Sequence, residues 1–160
     1  MSRAGAQSGG RRLPGFSLLE LMLVLTIIAI VGAMAVPRYA SALNRYRADA
    51  AARRIAYDFN LARSEARRSS ASRTVTVDLV NGRLSIASVM SDNLLASTYT
   101  TNVADKPYSA RLSAADLGGD LQLTYDGFGN PDSAGTLTVR SGAEVRTVAV
   151  NAVTGQAEVQ

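Results

Sequence analysis

The sequence predicts an α+β protein, one long N-terminal α-helix packed on an antiparallel β-sheet head. Three observations predict it. Residues 21–36 carry no charge at all. Beyond Pro37 a helical apolar period continues without a loop signal, until serines crowd in at Ser69, Ser70 and Ser72. From residue 74 the period drops to two, the spacing of half-buried strands.

The chain opens with MSRAGAQSGGRRLPG, residues 1–15, which holds Arg3, Arg11 and Arg12 and no acid. An ordinary secretory signal places its apolar core ahead of the cleavage site. Here the apolar core follows, so the opening segment is a leader of another kind. Residues 16–36 come next, and at about 1.5 Å per helical residue they reach roughly 30 Å, one hydrocarbon thickness. The bases stand before the span, which places residues 1–15 in the cytoplasm and the remainder outside.

Glu20 interrupts the start of that apolar run. A charge at the centre of a spanning helix costs about 2.5–3.5 kcal/mol on insertion scales. Residue types alone leave two readings: Glu20 reaches water at the interface, or it meets a cation at its own depth. A cut between Gly15 and Phe16 would create such a cation, because the new α-ammonium of Phe16 lies one helical turn from Glu20. The partner can belong to the same chain or to a neighbour, and pairing between chains would make burial conditional on assembly. Gly32 and Pro37 are also open to two readings. Pro37 lacks an N–H and crowds the carbonyl of Ala33, which favours a kink or local loosening. Both residue types are nonetheless common in ordinary spanning helices.

Residues 38–69 are rich in Ala and Arg, both good helix formers. Ala48, Ala52, Ile55, Phe59, Ala62 and Ala66 recur in steps of four and three, one apolar face predicted to pack on the head. A second, partial stripe of Leu43, Tyr46, Ala50, Tyr57 and Leu61 is a candidate contact with another subunit. From residue 74, TVTVDLV and RLSIASV flank Asn81-Gly82, the pattern of a hairpin closed by a type I′ turn. Further strands are predicted over 95–101, 108–113, 121–126, 136–141, 145–151 and 156–160, separated by turns at 116–120, 127–135 and 151–155.

Composition removes several function classes. With no Cys and no His in 160 residues, disulfides, thiolate or imidazole metal sites and histidine-based catalysis are excluded. No catalytic constellation stands out, and no cofactor or metal is expected. Asp126, Asn130 and Asp132 surround a Gly-rich turn, but the alternating acids and closing Glu of a calcium loop are missing, so a solvated turn is expected. The net charge of +4 is unevenly spread. Residues 38–73 carry nine Arg against Asp49, Asp58 and Glu65, whereas residues 74–160 carry five bases against nine acids. An acidic head opposes phosphate binding, which disfavours nucleic acid as a partner.

The basic leader ending in Gly15, followed by FSLLELMLVLTIIAIVGAMAVPRY, resembles the class III signal of type IV pilins and type II secretion pseudopilins. Gly15, Phe16, Glu20 and Pro37 all fall at that family's spacing. Pro14 departs from it, standing where a charged residue is usual, a change expected to slow cleavage without abolishing it. The stretch AYDFNLARSEARRSSASRTVTVDL resembles the GspH/FimT group of minor pseudopilins and minor pilins, and residues 125–159 are similar to that group's closing strands.

The resemblance implies a prepilin leader over 1–15, a transmembrane and assembly helix over 16–37, an amphipathic helix over 38–73 and a β-sheet head over 74–160. It implies cleavage after Gly15 by a prepilin peptidase, N-methylation of Phe16, pairing of Glu20 with a neighbouring N-terminus, and a helix loosened at Gly32 and Pro37. The implied function is assembly rather than catalysis. The chain would be a minor pseudopilin of a type II secretion pseudopilus, initiating or capping the filament, with other pseudopilins, the inner-membrane assembly platform and the lipid membrane as partners. Its expected place is the inner membrane, single-pass, with a periplasmic head, and then the filament. The alternative is a FimT-like minor pilin in pilus biogenesis or DNA uptake. Against DNA uptake, the last turn reads Gly155-Gln156-Ala157-Glu158 and holds no Arg.

Overall fold

The computed structural model describes residues 15–90 and 98–160. The leader up to Pro14, and residues 95–97 of one predicted strand, lie outside the described residues. Among the described residues one helical element, α1 (Leu18–Ser69), is followed by eight strands. The chain divides into two units that meet between Arg38 and Tyr39.

In the first unit the helix is apolar on every side, and every large aliphatic residue from Leu18 to Val36 is exposed. The helix is long and apolar enough here to cross a membrane, with a mean hydropathy of 2.5 over its most apolar window. Ser17 starts it: its Oγ accepts from the Leu19 N–H at 3.2 Å and its carbonyl accepts from the Leu21 N–H. That is an N-cap, satisfying donors that the first turn leaves unpaired. The helical assignment then runs without a break through Gly32 and Pro37.

In the second unit α1 buries one face. Ala48, Ala52, Ile55, Phe59, Ala62 and Ala66 are all fully buried, joined by Ala51 and Ala56. The alanines take up little volume on this face, and Ile55 and Phe59 are its two large apolar side chains, packed in one cluster with residues from both sheets. The second stripe is not part of this core: Tyr46 and Tyr57 are exposed, and Leu43, Ala50 and Leu61 half-buried. The helix stops at Ser69 with a Schellman-type closure. Ser70 takes a left-handed φ of 48°, the Ala71 N–H donates to the Ala66 carbonyl, and the Ser70 N–H donates to the Arg67 carbonyl.

The strands are β1 (Arg73–Asp78), β2 (Arg83–Met90), β3 (Thr98–Asn102), β4 (Arg111–Asp116), β5 (Gln122–Tyr125), β6 (Gly135–Ser141), β7 (Glu144–Val150) and β8 (Ala157–Val159). They form two antiparallel four-stranded sheets rather than one, ordered β3-β2-β1-β5 and β4-β6-β7-β8. Their inward residues, among them Val75, Leu84, Ile86, Leu123, Leu137, Val139 and Val148, complete the core with α1.

Two local expectations are corrected. The β1–β2 connection is not a two-residue type I′ turn but a four-residue loop, Leu79–Gly82, closed by the Asp78↔Arg83 pair. The Asp78 carboxylate accepts from the Val80 and Asn81 N–H groups, which holds Asn81 out of the left-handed region, and Gly82 alone takes φ +64°. The strand predicted over 108–113 begins at Arg111. Ser109 has a φ of 47°, and its N–H closes a loop onto the Asp105 carbonyl, which ends any extended run before it.

Candidate functional site

The assembly residues singled out in the sequence do not form one site within the single chain. Gly15, Phe16, Glu20, Gly32 and Pro37 lie at or along the start of α1, open to the surroundings. Phe16 is 79% exposed. A Cβ added at Gly15 or Gly32 would meet nothing within 4 Å, so nothing within the single chain demands glycine at either place. Glu20 is exposed in the first helical turn, with no ion pair to it among the described residues. At that position it stands three residues after the N-cap Ser17, where the helix dipole favours a carboxylate. The capping role of Ser17 escaped the sequence reading, although the Ser-x-x-Glu spacing of Ser17 and Glu20 signals it. Thr26 satisfies its hydroxyl by donating to the Met22 carbonyl at 2.8 Å, so it adds no unpaired donor to the apolar surface.

In the head, many of the arginines of α1 bind the chain's own polar groups. Arg68 clasps Glu65, holding that carboxyl below its usual range through the hydrogen bond. Arg45 and Arg146 both meet Glu144, and Arg146 also pairs with Asp49, which ties α1 to β7. Asn60 grips the last strand with both ends of its amide, donating to the Ala157 carbonyl at 3.0 Å and accepting from the Ala157 N–H at 3.1 Å.

The least expected group is Asp58, fully buried on the core face of α1. Its Oδ1 accepts from the Tyr99 hydroxyl at 2.8 Å and faces Arg54 Nε at 3.3 Å, while Oδ2 has no hydrogen-bond partner. Arg54 also donates to the Tyr99 hydroxyl, and Thr101 lies beside it on the same strand. Burial pushes the Asp58 carboxyl above the usual carboxylate range, against the opposing pull of Thr101, Tyr99 and Arg54. The network fastens α1 to the edge strand β3.

Asp126, singled out as an oxygen donor, is engaged by its own turn. Its carboxylate accepts from the Phe128 N–H at 2.9 Å, the Asn130 N–H at 2.8 Å and the Asn130 amide at 3.1 Å, and these bonds hold it below the usual range. Asp132 is exposed, and its backbone N–H donates to the Thr124 carbonyl. Among the described residues no group of three or more acidic, His or Cys side chains could hold a metal ion.

The comparisons with known proteins agree with this architecture. Residues 51–155 match the family of the type II transport protein GspH, and residues 12–36 match the prokaryotic N-terminal methylation motif. No curated protein matches the chain in sequence. Among solved structures, the type IV minor pilin FimU of Pseudomonas aeruginosa PAO1 is similar at 16% identity and a TM-score of 0.54, over 72% of this chain and 88% of that one. The minor pseudopilin EpsH of the type 2 secretion system of Vibrio cholerae is similar at 18% identity and a TM-score of 0.54, over 71% and 96%. A second EpsH structure gives 14% identity and a TM-score of 0.55. At such identities the likeness speaks for the shared fold, a long N-terminal helix on antiparallel sheets. The family match spans well over half of the chain, and the methylation motif covers residues 12–36: the chain belongs to the GspH family of type II transport proteins and has a type IV pilin-like fold.

Proposed function

We propose that the chain is a minor pseudopilin of a type II secretion pseudopilus, a structural subunit that initiates or caps the filament during protein secretion. A prepilin peptidase cuts it after Gly15 and methylates the amine of Phe16. Residues 16–37 hold it in the inner membrane with the head, residues 38–160, in the periplasm, until the assembly platform passes it into the filament. The observation that carries this reading is the coincidence of two independent signals on one chain: a GspH head over 51–155 and a methylation motif over 12–36. The wholly exposed apolar surface from Leu18 to Val36 supports it, because such a surface needs lipid or neighbouring helices.

In this mechanism Glu20 supplies registry. Its carboxylate meets the N-terminal ammonium of an adjacent subunit, and leaving either group alone in a dry bundle costs on the order of 3–5 kcal/mol. Gly32 and Pro37 allow the helix to bend as it leaves the bilayer. The test is Glu20→Ala in cells that assemble the filament. The variant inserts in the membrane normally but is not recovered in sheared or cross-linked filaments; normal co-assembly would remove the pairing role. The second reading, a minor pilin of a type IV pilus acting in pilus biogenesis or DNA uptake, is favoured by the equally good fit to FimU. Deleting the gene and scoring secretion against twitching motility and transformation separates the two.

A further inference from the structure

Phe128 is 83% exposed, more than Tyr46 or Tyr57 of the head helix. One exposed apolar residue is unremarkable in itself; the way this one is held is not. Asp126 clamps the turn beneath it with the three hydrogen bonds described above. Gly127 lies so close to the end of α1 that a Cβ would come within 2.8 Å of the Ser70 carbonyl carbon. Gly129, at φ +85°, rests on Cγ and Cδ of Arg67, and Gly155 of the β7–β8 turn approaches the Gly129 carbonyl as closely. Arg63 donates to that same carbonyl at 3.3 Å. Three close approaches and a clamped carboxylate fix the backbone that presents the ring, so binding through it has little loop-ordering entropy to overcome.

Chemistry beside the ring indicates the occupant. Phe128, Arg67, Ser70 and Gly127 line a cavity of about 540 Å³. Arg67 is exposed and, among the described residues, meets no carboxylate, whereas its neighbour Arg68 is neutralised by Glu65. Val153, 84% exposed, crowns the adjoining turn. We propose that Phe128 and Arg67 form a docking surface for the head of another filament subunit, which places an apolar side chain against the ring and a carboxylate on the guanidinium. Phe and Arg are both enriched at protein interfaces over the rest of the surface. Charge complementarity asks for an acidic sheet surface on the partner head, and the β-sheet part of this chain, residues 74–160, with nine acids against five bases, is an example of one in the family. A nucleic acid fits worse, since a phosphate backbone wants several unneutralised cations and this cavity offers, among the described residues, Arg67 as its one charged lining residue.

This inference rests on the assembly reading above, so the experiment separates the two. The full chain is expressed in its native host with the photo-cross-linker p-benzoylphenylalanine in place of Phe128 or, in a parallel strain, of Val31 in the apolar segment. Adducts are identified by mass spectrometry. An adduct at 128 with an acidic peptide from the head of another subunit that itself carries a prepilin signal is expected. Its yield should fall about tenfold with Arg67→Gln, which keeps the stem beneath Gly129 and removes only the charge. Adducts at 31 but none at 128 overturn the docking surface and leave assembly standing, and adducts at neither position overturn both. An adduct at 128 with nucleic acid or lipid, or one indifferent to Arg67→Gln, also overturns the proposal.

Discussion

Residues 18–36 and 48–66 belong to the same helical element, yet their apolar residues do opposite things. The first stretch uses large aliphatics on all sides and buries none; Ile28 is 61% exposed. The second uses alanine along one face, with only Ile55 and Phe59 large, and every member of that face is buried. An Ala-rich face lets two sheets close over the helix, so the head needs no other partner to bury its core. A helix apolar all round has no preferred face, so its surface can be satisfied only by something outside the chain. The head therefore carries its stability within itself, while the N-terminal segment carries an obligation to lipid and to neighbours.

Changes at Gly15, the proposed junction with a leader, should have the largest effect. Gly15→Val is sterically free within the chain, because nothing lies within 4 Å of the added carbon. Any effect must then come from the peptidase. Processing is expected to stop: immunoblots show only the long form, and intact mass finds no chain beginning at Phe16.

Packing gives the next largest contrast. Phe59→Ala should destabilise the head by about 3–5 kcal/mol, because the fully buried ring leaves a cavity between helix and sheets. Ile28→Ala, in the other half of the same helix, should change head stability by less than about 0.5 kcal/mol. Denaturant unfolding of the full-length protein in detergent, followed by Tyr fluorescence, measures both. Equal losses would mean that the two stretches are not energetically separate.

Asn60→Ala should cost about 1–2 kcal/mol, because it leaves both backbone groups of Ala157 without the amide partner they now have. The loss should be local. Amide exchange should speed up in β8, while Phe59 and the buried residues of β1 stay protected.

How much of this was legible in the sequence follows from the same contrast. The buried stripe could be read because a helix packed on one side has a 3.6-residue period, and the apolar N-terminal segment because it has none. The strands could be counted, but period two does not encode pairing, so the division into two sheets was not visible. Asn81-Gly82 misled because Asp78, three residues earlier, captures the loop's N–H groups and lengthens it. Asp58 was hidden for another reason. A carboxylate on an apolar face reads as an interruption, and its partners Tyr99 and Thr101 are more than 40 positions away. The proposed assembly residues were singled out from spacing, but the single chain shows no ion pair for Glu20 among the described residues and nothing within 4 Å of a Cβ at Gly15 or Gly32. Arg67 and Phe128 were unreadable because only the close packing of Gly127 and Gly129 brings them together.

The smallest effect should come from the one charge buried on the face that is otherwise alanine. Burial raises the Asp58 carboxyl in the folded state above its unfolded value. At pH values above the raised folded value the folded protein therefore holds a charge it disfavours; between the two values it binds a proton that the unfolded chain does not. By linkage, the contribution of Asp58 to stability grows as pH falls through that window and levels off below about 4, the ordinary Asp value. Glu65, Asp78 and Asp126, whose carboxyls are held low by hydrogen bonds, act the other way, and their stabilisation is lost as the pH falls through their depressed values. The whole-protein curve mixes these opposing slopes, so the difference between wild type and Asp58→Asn is the quantity to follow. Across urea midpoints measured from pH 7 to pH 4, the wild type should gain on the variant as the solution is acidified. A difference that is flat with pH would mean that Arg54, Tyr99 and Thr101 fully offset the burial of Asp58, leaving the head as free of unresolved charge as its alanine face suggests.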